Sequence, residues 1–228
     1  MLRLITLGRI DLTEASGRSV EAVLKRPKRL ALLTYLALAG EGALRSRDSA
    51  IGLFWPDESQ ARARQSLNQA LYVLRQALGT DVVVSVGNDQ IGLARGAVWC
   101  DAVALRAAER SGDHRSVEAH YRGEFLPGFY LSGLPEFEKW LDGERATLRR
   151  LASTSAWKLA TEAADAGDAE TAAEAAVRSA NLASGEEAAV RRAIELLDEL
   201  GDRARALALY RTLVDELAAD LETTPSPE

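Results

Sequence analysis

Between Pro56 and Gly79 the chain carries a long run with a single apolar stripe. Advancing about 100° per residue, the α-helical step, brings Ala63, Leu71, Leu74 and Leu78 within about 40° of Leu67. The pattern predicts one helix over about Glu58–Leu78, closed by Gly79, with Asp57 as cap and Gln60 in capping-box position. So narrow a stripe has to be buried against other helices. The opposite side carries Arg62, Gln65, Gln69, Tyr72 and Gln76, flanked by Arg64, Asn68 and Arg75, and no carboxylate lies between Gln60 and Leu78. A solvated helix face normally mixes acids with bases, because mixed pairs stabilise it. Arginine forks onto guanine O6 and N7, and Gln or Asn pairs bidentately with adenine, so this outer face has the chemistry of duplex recognition.

The flanking segments fit that reading. Residues 2–7 and 9–12 alternate as strands, Glu14–Ser19 is a turn, and a third short strand is expected within Ser19–Val23. RPKRLALLTYLALAG has helical leucine spacing, with Pro27 in its first turn and Gly40 and Gly42 at its end. A second helix is predicted from Ser46, as N-cap, to Phe54 or Trp55, stopped by Pro56. After the long helix, VVVSV (82–86), GNDQ (87–90) and IGLA (91–94) form a β-hairpin signature. Two helices joined by a short turn and followed by a hairpin make a helix-turn-helix with a wing. Lys25, Arg26, Lys28, Arg29, Arg45 and Arg47 are candidate phosphate contacts, Lys28 and Arg47 foremost. Asn88 at the hairpin tip and Arg95 at its exit are placed to reach an adjacent minor groove or phosphate.

Charge divides the chain. Residues 1–100 hold 13 Lys and Arg against 9 Asp and Glu, whereas the remainder holds 15 against 25. Such asymmetry points to a polyanion partner for the first part only. No apolar run is long enough to span a bilayer, and MLRLITLGRIDL lacks the apolar core of a signal peptide, so no membrane partner is expected. Cys100 is the only cysteine, which excludes an intrachain disulfide and fits a cytoplasmic protein.

Beyond about Asp101 the pattern is helical, apart from a loop around Gly123–Pro135. Gly112-Asp113, Gly167-Asp168 and Gly201-Asp202 each fit a glycine ending one helix and an aspartate capping the next. The last two pairs are 34 residues apart, the tetratricopeptide period. Ala173, Ala176 and Ala180 are small enough for close helix packing, and Trp157 matches the repeat's large residue. The expected fold class is mainly α with a small β component. A winged helix-turn-helix domain over 1–97 precedes an α-helical tetratricopeptide-like domain over 98–228.

The chain resembles the Streptomyces antibiotic regulatory protein family, in which an OmpR-type winged helix precedes a bacterial transcriptional activation domain. The resemblance is carried by RPKRLALLTYLAL, LFWPD and SLNQALYVLRQALG in the first part. In the second it is carried by YRGEFLPGFY, PEFEKWLDGERATLRR and the closing stretch ending TTPSPE. It implies transcription activation by binding promoter DNA, often as a homodimer on direct repeats, and contacting RNA polymerase. It carries the reading role onto Arg64, Gln65, Asn68, Tyr72 and Arg75. Gln76 departs from the second arginine that many relatives have there, so a different DNA site is expected. Relatives commonly continue past the position of Pro225 and Pro227, which makes this a short form or the front of a larger regulator.

Two other classes fit the sequence less well. His114 and His120 are the only histidines and lie far from Cys100. There is no metal spacing, phosphate loop or nucleophile elbow, so neither catalysis nor a metal or cofactor is expected. Glu136, Glu138, Asp142 and Glu144 fit a solvated acidic face. The alternative reading is a non-catalytic interaction module whose winged helix and repeat helices bind protein. Such a face should present aliphatic or aromatic groups rather than Arg, Gln and Asn.

Overall fold

The computed structural model describes residues 1–183 and 186–220; the TTPSPE stretch lies outside them. Helices dominate, with two small sheets in the N-terminal part. The chain divides into two compact units, one of residues 1–107 and 120–145, the other of residues 108–119 and 146–228.

The first unit opens with β1 (Leu2–Ile5) and β2 (Asp11–Thr13), paired antiparallel. The strand expected within Ser19–Val23 is instead one bridge, Thr13 to Ser19, followed by the short helix α1 (Glu21–Leu24). Helix α2 (Pro27–Ala37) has Pro27 in its first turn and is buried from Leu30 through Ala37. β3 (Leu44–Ser46) leads into α3 (Arg47–Phe54), with Ser46 at the N-cap position. The long helix, α4, spans Gln60–Leu78. Its N-cap is Ser59 without a side-chain cap bond, so the Asp57–Gln60 capping box does not form. Glu58 instead accepts a hydrogen bond from the Ser66 hydroxyl at 2.8 Å. Ala63, Leu67, Leu71 and Leu74 are buried and Leu78 is half-buried. β4 (Val83–Val86) and β5 (Gln90–Leu93) form the hairpin, and β3 joins β5 to complete a three-stranded sheet.

β6 (Val98–Cys100) pairs parallel with β1, so the strand just past the 97/98 sequence boundary lies in the N-terminal sheet. Helix α5 (Asp101–Ser111) follows it directly. Residues 120–134 return to this unit. Leu7 bridges Phe125, and Gly8 N–H donates to the Glu124 carbonyl at 2.9 Å. A Cβ on Gly8 would sit 2.6 Å from the Arg122 carbonyl oxygen, so only glycine permits this approach. Arg145 fixes the segment by donating to the carbonyls of Phe125 at 3.0 Å and Leu126 at 2.9 Å.

Helix α7 (Pro135–Asp165) begins on the same core. Phe137 stacks on Phe54 with centroids 5.3 Å apart, and Trp140 meets Tyr35 edge-on at 5.5 Å. These rings wedge α2 against α3 and so set the platform under α4. Phe137 is fully buried. Phe137→Ala is therefore expected to lower unfolding stability by about 3–4 kcal/mol, the usual cost of emptying such a site. Denaturant melts would show it, and a loss below about 1 kcal/mol would remove Phe137 from the core.

The second unit repeats one junction three times. Gly112, Gly167 and Gly201 all have left-handed φ of 74° to 78°. Asp113, Asp168 and Asp202 N–H groups reach back to the carbonyls of Ala108, Ala163 and Leu197 at 2.8–2.9 Å. These are Schellman closures. Each aspartate then caps the next helix by accepting from the N–H of Ser116, Thr171 or Arg205. The capped helices are α6 (His114–His120), α8 (Ala169–Leu182) and α10 (Arg203–Asp220), and α9 (Glu187–Glu199) stands between the last two. Ala173, Ala176 and Ala180 are buried in one cluster with Leu159, Val190 and Leu197. Ser153 and Ser179 donate to each other's carbonyls at 3.0 Å, a reciprocal pair available only at close helix approach. Gly167→Ala, which forces a side chain into left-handed φ, is expected to cost about 1–2 kcal/mol in a thermal melt. An unchanged midpoint would contradict that junction.

Candidate nucleic-acid interface

Helix α4 presents a polar face to solvent because its buried stripe is only one residue wide. Arg62, Arg64, Gln65, Asn68, Gln69 and Gln76 are exposed, and Tyr72 is 56% exposed. Tyr72 thus presents a large aromatic ring to solvent on a face otherwise made of Arg, Gln and Asn.

The sequence-predicted residues fall into two groups. One faces solvent freely along α4. The other is tied into the scaffold. Arg75 is half-buried and donates to the Val83 carbonyl at 2.8 Å and the Ser85 hydroxyl at 2.9 Å, so it fastens the hairpin to the end of α4. Lys28 donates from Nζ to the Phe54 carbonyl at 2.9 Å and lies 5.4 Å from the Trp55 ring centroid. It thereby satisfies a carbonyl left open at the α3 C-terminus, where a cation is favoured. Arg47 hydrogen-bonds Asn68 across the helix-turn-helix, and its backbone N–H donates to the Asp89 carbonyl of the hairpin turn at 2.8 Å. Turn, wing and long helix are thus joined through Arg47.

Positive charge is crowded here. Burial, then the guanidinium groups of Arg75 and Arg64, lower the Arg47 pKa below the ordinary arginine value, and Asp89 opposes them. Like charges crowded in this way favour a nearby anion, so the junction is a candidate anion site. Among the described residues one acid pairs with the α4 face, Asp48, 4.0 Å from Arg64, and both side chains are largely exposed. A second basic concavity of about 680 Å³ runs along α4 toward the start of α2, lined by Arg26, Lys28, Arg29, Arg62 and Gln65. Asn88 and Arg95 are both exposed, at the hairpin turn and beyond its exit.

Sequence pattern gave no sign that Arg75 and Lys28 would be occupied by backbone carbonyls. Nor did it mark Ser85 and Asp89 as anchors. Those partners come from pairing set by the hairpin register. Among the described residues no cluster of His, Cys, Asp and Glu could hold a metal, and no helix is long and apolar enough to cross a membrane.

A family model, the bacterial transcriptional activator domain, matches residues 101–228, more than half of the chain. Among solved structures, Mycobacterium tuberculosis EmbR in complex with a low affinity phosphopeptide is similar in fold, with a TM-score of 0.62 and 20% identity. The match covers 99% of this chain and 62% of the EmbR chain, so this chain spans less than two thirds of that structure's length. No curated protein matches.

Proposed function

The chain belongs to the bacterial transcriptional activator domain family, and from that premise we propose that it is a promoter-binding transcription activator that reads duplex DNA with α4. The observation that carries this reading is the exposed, carboxylate-free face from Arg62 to Gln76, rigidly backed by the buried stripe of Ala63, Leu67, Leu71 and Leu74. The B-DNA major groove admits one α-helix. With α4 in it, Arg62 and Arg64 fork onto guanines, while Gln65, Asn68 and Gln69 take adenine edges. Tyr72 and Gln76 contact bases or sugar-phosphate further along. Arg47 meets a phosphate beside the groove, Lys28 adds charge to the neighbouring concavity, and Arg75 holds the hairpin so that Asn88 and Arg95 reach the adjacent minor groove or backbone.

The helical unit supplies the activating contact, docking RNA polymerase or a partner protein through its repeat faces. Two copies bind repeated half-sites as a homodimer on promoter DNA in the cytoplasm. Genomic fragments retained by the protein should converge on one short repeated sequence, recovered by sequencing the bound pool. A retained pool no different in sequence from the input would overturn the reading.

A further inference from the structure

The concavity of about 680 Å³ between α4 and the start of α2 has a floor that a DNA backbone does not need. Pro27, the Trp55 ring, Ala70 and Val73 make that floor apolar. Trp55 is buried, while Ala70 and Val73 are half-buried on the flank of α4 beside its buried stripe. Duplex phosphates call for cations and hydrogen-bond donors and gain nothing from such a floor. Apolar walls with a few placed polar groups are the usual make-up of a small-molecule site, and the volume lies within the usual range of such sites.

The rim sets the charge of the occupant. Arg26, Lys28, Arg29 and Arg62 line it. Two of these cations are engaged: Lys28 holds the Phe54 carbonyl and faces the Trp55 ring, and Arg29 donates to the Ala22 carbonyl at 3.3 Å. The guanidinium groups of Arg26 and Arg62 are exposed and have no partner among the described residues. Gln65, Ser66 and Gln69 complete the lining. Among the described residues, the carboxylate that touches this lining is Glu58, which takes the Ser66 hydroxyl at 2.8 Å and forms no ion pair with either free arginine.

We propose that this concavity binds a small phosphate monoester with an apolar body, the phosphate between Arg26 and Arg62 and the body on Pro27, Ala70 and Val73. A phosphate monoester carries about two charges at neutral pH, which two free guanidinium forks match. Arg26 and Arg62 also face the proposed DNA, so an occupied site competes with a duplex. That consequence rests on the DNA reading; the binding itself does not.

The test titrates the full chain, without DNA, with 1-naphthyl phosphate, 1-naphthol and inorganic phosphate at one ionic strength, followed by NMR. The ester should shift the Trp55 indole and the Ala70 and Val73 amide signals saturably. It should bind at least about tenfold more tightly than naphthol, which lacks the charge, or inorganic phosphate, which lacks the body. Arg26→Gln together with Arg62→Gln should bring the ester down to the affinity of naphthol. Val73→Glu, with its fold checked by a thermal melt, should abolish ester binding. No saturable shift, affinity no better than that of inorganic phosphate, or unaltered affinity in the double glutamine variant or in folded Val73→Glu would each overturn the proposal. In a second arm, saturating ester should weaken binding of a mixed-sequence duplex more than inorganic phosphate does. A duplex that binds equally well to the ester-filled protein would overturn the competition. A duplex that never binds would overturn the DNA reading and leave the ester site standing.

Discussion

Alanine at Arg64, Gln65 and Gln69 together is expected to abolish sequence discrimination on DNA while leaving the fold intact. All three side chains are exposed on one side of α4. A bidentate side chain to base pair contributes about 1–3 kcal/mol of discrimination. Three such losses amount to at least about 3 kcal/mol, a factor of more than 100 between cognate and mixed-sequence duplex. Residual binding should remain, because Arg26, Lys28, Arg29 and Arg47 keep their charges for phosphates. The fold has little to lose. Alanine is the best helix former, and the Arg64–Asp48 pair is exposed at 4.0 Å, where ion pairs contribute little. Fluorescence anisotropy on both duplexes, with a thermal melt alongside, gives the comparison. Full discrimination in a folded triple variant would take the reading role away from α4.

Asp101→Ala is expected to destabilise the first unit by about 4 kcal/mol. Asp101 is 4% exposed and is the first residue of α5, immediately after β6. Its carboxylate accepts from Thr6 N–H at 2.9 Å, Thr6 hydroxyl at 2.6 Å, Leu7 N–H at 2.9 Å and Ala102 N–H at 2.8 Å. Alanine would leave the buried Thr6 and Leu7 amides without acceptors, at about 1–3 kcal/mol each, and would remove the acceptor of the Ala102 N–H at the start of α5. Asparagine keeps one acceptor oxygen but aims an NH₂ at backbone donors, so an intermediate loss is expected. Denaturant unfolding measures both variants. An alanine variant within about 1 kcal/mol of the parent would show that the β1 to α5 junction is held by something other than Asp101.

What was legible in the sequence was what repeats. The stripe from Ala63 to Leu78 recurs often enough to place α4, and the buried residues fall where the helical step puts them. The three Gly-Asp pairs mark real junctions because a left-handed glycine and an aspartate cap are both local requirements. Pairing between distant segments was not legible. β3 and β6 have three residues each, too few for any periodicity, and β6 finds its partner β1 almost the whole unit away in sequence. Residues 120–145 read as loop and acidic helix, yet Phe137, Trp140 and Arg145 complete the core beneath the helix-turn-helix. The capping box at Asp57 failed because Glu58 found Ser66 and the helix began two residues later.

For the interface, the sequence identified the outward residues of α4 correctly as a face but not how its edges are used. Arg75 is the same residue type as Arg64 and Arg62, Lys28 is a cation like them, and nothing local in the sequence marks either as occupied. Hairpin register gives Arg75 the Val83 carbonyl, and the end of α3 gives Lys28 the Phe54 carbonyl. Such assignments depend on three-dimensional proximity alone. They narrow the candidate base readers to Arg62, Arg64, Gln65 and Gln69, with Asn68 held by Arg47 and Tyr72 and Gln76 beyond them.

The most direct test of the central claim is the salt dependence of binding to a mixed-sequence duplex. Each phosphate neutralised by a cation releases counterions and contributes about −0.9 to the slope of log affinity against log salt. With Arg26, Lys28, Arg29 and Arg47 placed beside the α4 face, a slope of about −4 is expected. A slope near zero, or no measurable binding at low salt, would contradict the assignment of this basic face to DNA.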